Sequence, residues 1–201
     1  MINIIIGKDI KPTYEGDILA VDKSAFHLID NGYKDFYAIG DFDSCTNEQF
    51  KIIESNVNAI LYPSEKDYSD LELAIRYALE VLNEKEIIVH NIYCGNRLDH
   101  LYANITLLRL GLEFDANIRQ VDDFNEVQIY KPGIYKIENK HKYLSLFALE
   151  DVKKLNLVNF KYPLNDFDLK SSNPLCLSNE VLNESSISFD EGLILMIKSS
   201  D

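Results

Sequence analysis

Tryptophan is absent from the 201 residues, and cysteine is scarce: Cys45, Cys94 and Cys176 stand apart, with no C-x-x-C pair. That spacing argues against a zinc site or a disulfide framework, and the odd count fits a reducing cytoplasm. Basic side chains are few, 20 against 33 acids, for a net charge of −13. So acidic a chain repels nucleic acid and anionic membrane surfaces at long range, and neither is expected as a partner. A nucleotide is still open to it through metal ions, which invert the local field. No apolar run approaches the ~20 residues of a membrane helix. Met1 to Gly7 carries an Ile run without a basic n-region or a small-residue cleavage site, and reads as a buried strand rather than a signal peptide. Glycine-rich phosphate loops are missing too. Neither G-x-x-x-x-G-K-[ST] nor a helix-opening G-x-G-x-x-G occurs, which disfavours a Walker-type ATPase and a dinucleotide enzyme.

What is present is an alternation of short apolar runs and helical periods. Strands are expected at 3–6, 18–21, 36–39, 59–62, 87–89, 92–93 and 117–121. Helices are expected from Ser24 to about Asp30, from an N-cap at Asn47, behind an S-x-x-E capping box at Ser69 and Glu72, and from about Asp99 to Gly111. This alternation predicts a mainly parallel sheet with helices on both faces. After a short hinge at 122–126 the helical period disappears. Short β-rich runs at 127–130, 134–137, 143–147, 155–160 and 193–197 are punctuated by Lys131-Pro132-Gly133, Asn165-Asp166, Asn173-Pro174 and Asp190-Glu191-Gly192. They predict an antiparallel β domain, a sandwich or barrel too small to be robust alone. The expected division is an α/β domain over 1–124 and a β-sandwich over 125–201.

Three polar clusters lie between strand-like and helix-like runs: Gly40-Asp41-Phe42-Asp43-Ser44, Lys66-Asp67-Tyr68-Ser69-Asp70 and Asn96-Arg97-Leu98-Asp99-His100. If the third strand continues through Asp41 and Asp43, alternation points both acids to one face. If it ends at Gly40, they sit on the loop past its carboxyl end, where open α/β sheets bind ligands. Carboxylate oxygens of Asp41, Asp43, Asp67 and Asp70 suit Mg²⁺, with water and substrate phosphates completing an octahedron. Lys66 and Arg97 can take phosphate oxygens, Arg97 through its planar fork. That combination fits phosphoryl transfer, where positioning and charge neutralisation carry most of the catalysis. Each cluster alone has a plainer reading: a D-x-D is weak, acids at a helix start favour the macrodipole without any function, and His100 is more often structural. The coincidence of three clusters at matching positions is what points to one site.

Taken together, these three clusters, with Leu71-Glu72-Leu73-Ala74 and Ala103-Asn104-Ile105, resemble the thiamine pyrophosphokinase family. Ser145-Leu146-Phe147, Tyr162-Pro163-Leu164 and Ser178-Asn179-Glu180 are similar to that family's thiamine-binding β domain, so the resemblance spans nearly the whole chain. It implies transfer of the pyrophosphoryl group of ATP to thiamine, giving thiamine diphosphate and AMP, with Mg²⁺ and a homodimer whose sites lie between subunits. It assigns Asp41, Asp43, Asp67 and Asp70 to the metal, with Asp43, Asp70 and Arg97 catalytic. Asp22, Ser44, Lys66 and Arg97 fall to the nucleotide and its phosphates, and Asp99, Ser178 and Asn179 to thiamine. The chain departs from the family pattern at Lys23-Ser24, where glycine is usual, at Asn96 and at Ala148. It also lacks the Trp that stacks on thiamine in some members. A metal-dependent phosphohydrolase and a non-catalytic thiamine or nucleotide sensor are the competing readings.

Overall fold

The computed structural model describes residues 1–63, 67–91 and 97–201. The expected strand at 92–93 lies outside them. The chain divides into two compact units, Met1–Asp122 and Asp123–Asp201.

In the first unit, β1 (Ile2–Ile5), β2 (Asp17–Val21), β3 (Tyr37–Gly40), β4 (Asn58–Leu61), β5 (Glu86–His90) and β6 (Asn117–Val121) form a parallel sheet in the order β4-β3-β2-β1-β5-β6. The chain builds outward from β1 through β4 and then returns to lay β5 on the other side of β1. The order reverses between β1 and β5, so a crevice opens at their carboxyl ends. Both faces are covered. Helices α1 (Ser24–Asp30) and α2 (Asn47–Asn56) close one face, packing Ala25, Leu28 and Ile53 over Ile5, Ile18, Ala20 and Ala38. The alternate residues Leu19 and Ile39 are fully buried on the other face, and α3 (Asp70–Arg76) packs against β2 and β3.

The helix starts differ from the sequence reading in instructive ways. α2 is capped by Thr46, not Asn47: Thr46 Oγ1 accepts from Gln49 N–H (3.2 Å) and Gln49 Oε1 accepts from Thr46 N–H (3.0 Å), a reciprocal box. At α3 only half the expected box forms. Ser69 Oγ accepts from Glu72 N–H (3.2 Å), while the Glu72 carboxylate turns to Arg76 Nε one turn on (3.0 Å). The helix expected to stop at Gly111 runs as α4 (Leu98–Thr106), a 3₁₀ turn and α5 (Leu110–Glu113). Gly111 is there for closeness: a Cβ would come within 2.7 Å of the Ala116 carbonyl.

Beside β1, a buried histidine makes the unit acid-sensitive. Asn3 Nδ2 donates to the Glu15 and Asp17 carbonyls, so its Oδ1 is left to accept from His90 Nε2 at 2.9 Å. His90 Nδ1 is buried with no partner among the described residues. Burial, then the charges of Lys11 and Arg119, hold the His90 pKa down to about 4. The folded state therefore keeps His90 neutral, and its contribution is complete above the unfolded pKa near 6.5 and is lost as pH falls toward 4. Urea unfolding at pH 7 and pH 4.5 should show a loss on the order of 2–3 kcal/mol from this group. His90→Gln should flatten that acid limb, and an unchanged slope would remove His90 as its cause.

The second unit is a sandwich. β7 (Asn125–Tyr130), β13 (Ile194–Ser199) and β9 (Tyr143–Ala148) form one antiparallel sheet. β11 (Leu164–Leu169), β10 (Val152–Phe160), β12 (Val181–Phe189) and β8 (Gly133–Ile137) form the other. Alternate residues of both meet in one core, Leu144, Leu146, Ile194 and Met196 from the first against Leu155, Leu157, Ile187 and Phe189 from the second. Two strands were not anticipated. Asn165-Asp166, expected as a turn, lie inside edge strand β11, where irregular pairing with β10 and a φ of +47° at Asp166 absorb them. In β12 the stretch Leu182 to Ser186 is mostly polar, which hid its period.

Candidate active site

The three strands β2, β3 and β4 are neighbours, so the segments leaving their carboxyl ends meet. Asp22 follows β2, Asp41 follows β3, and Asp70 opens α3 after β4. One oxygen from each lies within 4.8 Å of the others. The strand ends at Gly40, so the loop alternative holds. Its next residue but one, Phe42, takes a left-handed φ of +58°, which a bulky residue tolerates only under constraint. The constraint is visible: the ring is buried against Phe50, 5.2 Å between centroids, and the N–H donates to Asp22 Oδ1 at 3.1 Å. This kink breaks the alternation, turning Asp43 into solvent while its N–H caps Asp41 Oδ1 (3.1 Å).

The three carboxylates form a set that could hold a metal ion, and they bear on one another electrostatically. Burial, the charge of Asp70 and that of Asp41 push the Asp22 pKa up to about 7, against the opposing hydrogen bond from Phe42. Like charges held this close raise one member's pKa unless a cation intervenes, and an all-carboxylate set suits a hard ion such as Mg²⁺. The cluster opens onto a cleft of about 640 Å³ at the carboxyl edge of the sheet, lined by Gly7, Lys8, Asp22, Ser44, Asp70 and Arg97 among others.

The sequence-predicted residues divide by place. Asp41 and Asp70 stand in the cluster with Asp22, which had been assigned to the nucleotide. Ser44 and Arg97 line the cleft. Asp43 and Asp67 are exposed and lie outside the cluster. Lys66 lies outside the described residues. Asp99 is exposed and grips Arg97 in a two-pronged pair, Nε to Oδ1 at 2.9 Å and Nη2 to Oδ2 at 2.6 Å. That pairing holds the Asp99 carboxyl well below the usual carboxylate range and leaves the Arg97 donors on Nη1 for other acceptors. Lys8, Lys23 and His27 also line the cleft. Lys8 and His27 belong to no recognisable motif, and Lys23 stands out in the sequence only as a departure from the family's usual glycine.

In the second unit, Ser178 is exposed in a left-handed conformation, φ +54°, with its N–H donating to Ser145 Oγ at 2.9 Å. Asn179 is buried, and its amide is engaged with backbone. Oδ1 accepts from Tyr162 N–H (3.0 Å) and Glu180 N–H (2.9 Å), and Nδ2 donates to the Tyr162 carbonyl (2.8 Å). Asn179 thus clamps Tyr162 at the rim of an apolar pocket of about 320 Å³ that includes Leu157, Leu164, Leu175 and Leu177.

Comparison with known proteins bears on both units. Residues 16–119 match the family model described as thiamin pyrophosphokinase, catalytic domain, and residues 133–194 match thiamin pyrophosphokinase, vitamin B1 binding domain. The thiamine pyrophosphokinase of Bacillus subtilis (strain 168) is 37% identical over 213 aligned residues, covering 100% of this chain and 99% of that protein. Crystal structures superpose along the whole chain. The Bacillus subtilis thiamine pyrophosphokinase does so with a TM-score of 0.88 at 34% identity, covering 99% of that chain. A thiamin pyrophosphokinase family protein from Enterococcus faecalis does so with 0.87 at 31%, again covering 99%. Domain models in the right order, full-length identity and a common fold agree: the chain belongs to the thiamine pyrophosphokinase family.

Proposed function

We propose that the protein transfers the pyrophosphoryl group of ATP to the hydroxyethyl oxygen of thiamine, releasing AMP. The observation that carries this reading is the convergence of Asp22, Asp41 and Asp70 in one cluster, two of them lining the cleft, in a chain of this family. Mg²⁺–ATP dependence is typical of that family, and these three carboxylates are the residues that would hold the ion. At these residues the ion would supply Lewis-acid polarisation of phosphate oxygens and would offset the charge that develops toward the leaving AMP.

The rest is done by side chains. The Arg97 guanidinium, oriented by Asp99, donates to phosphate oxygens through Nη1. Ser44 lines the same cleft and serves the nucleotide, and Lys66, Asp43 and Asp67 keep the phosphate and metal roles that the family resemblance implies. Residues 1–124 act as the catalytic domain and 125–201 as the thiamine-binding domain, where Asn179 fixes Tyr162 and Ser178 presents its hydroxyl. The enzyme works as a homodimer with thiamine held between subunits; Leu98 and Tyr102 in the first unit, and Leu175 and Leu177 in the second, are exposed apolar side chains that such an interface would cover. The unpaired thiols Cys45 and Cys176 suit a cytoplasmic setting. Among the described residues no helix is long and apolar enough to cross a membrane.

The test is a coupled assay for AMP with ATP and Mg²⁺, run with and without thiamine and with EDTA. AMP should form only when thiamine and metal are both present. AMP without thiamine would mean hydrolysis, and no AMP at all would remove the kinase reading.

A further inference from the structure

At the crevice between β1 and β5 a side chain reaches from one strand end to the other. Asn91, immediately after β5, donates from Nδ2 to the Ile6 carbonyl at 2.7 Å and to the Asp9 carbonyl at 2.9 Å, reaching the loop that leaves β1. Its backbone is left-handed, φ +67°, with the N–H donating to Val121 O on the far side (2.9 Å). Glycine would satisfy that backbone at least as well. What asparagine adds here is the amide.

The two carbonyls it holds bracket Gly7 and Lys8, which line the cleft together with Asp22, Asp70 and Arg97. Gly7 is itself left-handed, φ +78°, so this short segment has no regular secondary structure to fix it. The farther half of the loop has tethers of its own. Tyr33 Oη donates to the Lys11 carbonyl (2.8 Å), Lys11 N–H donates to Tyr14 Oη (3.0 Å), and Asn3 Nδ2 donates to the Glu15 carbonyl (2.6 Å). Losing the Asn91 amide would therefore loosen residues 6–9 and leave the sheet and the rest of the loop in place.

We propose that Asn91 is a positioning residue that pins the β1 loop across the crevice, so that Lys8 meets a phosphate of the bound nucleotide. This rests on the nucleotide reading given above. It adds a second cation, on the opposite lip of the crevice from Arg97, which Asp99 partly occupies. Lys8 acts as a charge-assisted donor and Asn91 acts through it.

The experiment compares the intact protein with Asn91→Gly, Lys8→Ala and the double variant. It uses the affinity for Mg²⁺ with a non-hydrolysable ATP analogue, by calorimetry, and the KM and kcat of AMP formation. Asn91→Gly keeps the backbone conformation and removes only the amide. Each single change should weaken analogue affinity and raise the KM for ATP roughly tenfold, with kcat and the KM for thiamine within about twofold. The double variant should be no worse than Lys8→Ala, because the two act in series. Trypsin cleavage after Lys8 should quicken in Asn91→Gly. Wild-type affinity in Asn91→Gly, additive losses in the double variant, or equal falls in kcat for every substrate would overturn the proposal. If the wild type binds the analogue but forms no AMP with thiamine, the kinase reading fails, while the calorimetric comparison still decides the role of Asn91.

Discussion

Asp70→Asn should lower kcat by about a thousandfold or more at pH 7–8 while leaving the fold intact, the size of effect expected when a charge aimed at a transferring group is removed. The variant should also show a sign that a merely damaged protein would not. After burial itself, Asp70 is the charge that pushes the Asp22 pKa upward most. A carboxyl whose folded pKa is raised opposes folding at pH values above its unfolded pKa, increasingly as pH rises through 4 to 7. Neutralising Asp70 relieves that repulsion, so the metal-free variant should melt no lower than the wild type, and the melting-temperature gain on adding Mg²⁺ should vanish. Loss of activity together with retained or increased stability is the usual mark of a site built against its own stability. Thermal scans with Mg²⁺ and with EDTA, beside the AMP assay, check both halves. Near-normal turnover in Asp70→Asn would take it out of the site.

Gly40→Ala is expected to be nearly as damaging, although it adds a single methyl group. Gly40 sits at φ +152°, and a Cβ there would lie 1.8 Å from Asp22 Oδ1 and 2.8 Å from its Cγ. Neither β3 nor Asp22 can yield cheaply. Gly40 is paired with Leu61 in β4, Asp22 N–H donates to the Ile39 carbonyl at 3.0 Å, and Asp22 Oδ1 holds the N–H of Phe42. The carboxylate must therefore swing out of the cluster and release the left-handed turn at Phe42, which carries Asp41 on one side and Asp43 and Ser44 on the other. A displacement on the order of 1 Å in such a site costs about a hundredfold in rate. The expected result is a fall of that size in kcat/KM with a raised Mg²⁺ requirement, measured by metal titration of AMP formation. Wild-type metal dependence in Gly40→Ala would mean that the position of Asp22 is immaterial.

Several features were legible without coordinates because they are local. The helix from Ser24 to Asp30 has a clear stop at Asn31-Gly32, and strand Asn117–Val121 is bounded as expected. The sequence expects a change from helical to β texture after a hinge at 122–126, and the two compact units are Met1–Asp122 and Asp123–Asp201. The polar clusters advertised themselves by composition alone. β11 and β12 went unseen because an irregular edge strand and a polar-rich strand have no apolar alternation to read. Lys8 and Asn91 went unseen because single polar residues outside any motif carry no signal.

Left to itself, the amino-acid order determined the kinds of element, the order of the two units and the donor chemistry of carboxylates beside cations. Which carboxylates share a site was decided only when the sheet was wound. Read along the chain, the loops after β3, β4 and β5 are successive, and Asp99 looks like a third contributor. In the sheet, β5 lies beyond β1, and the neighbours of β3 are β4 and β2. Asp22 therefore joins Asp41 and Asp70, and Asp99 is left to orient Arg97. Strand adjacency is set by burial and crossover geometry over tens of residues, and no local pattern of residue types encodes it.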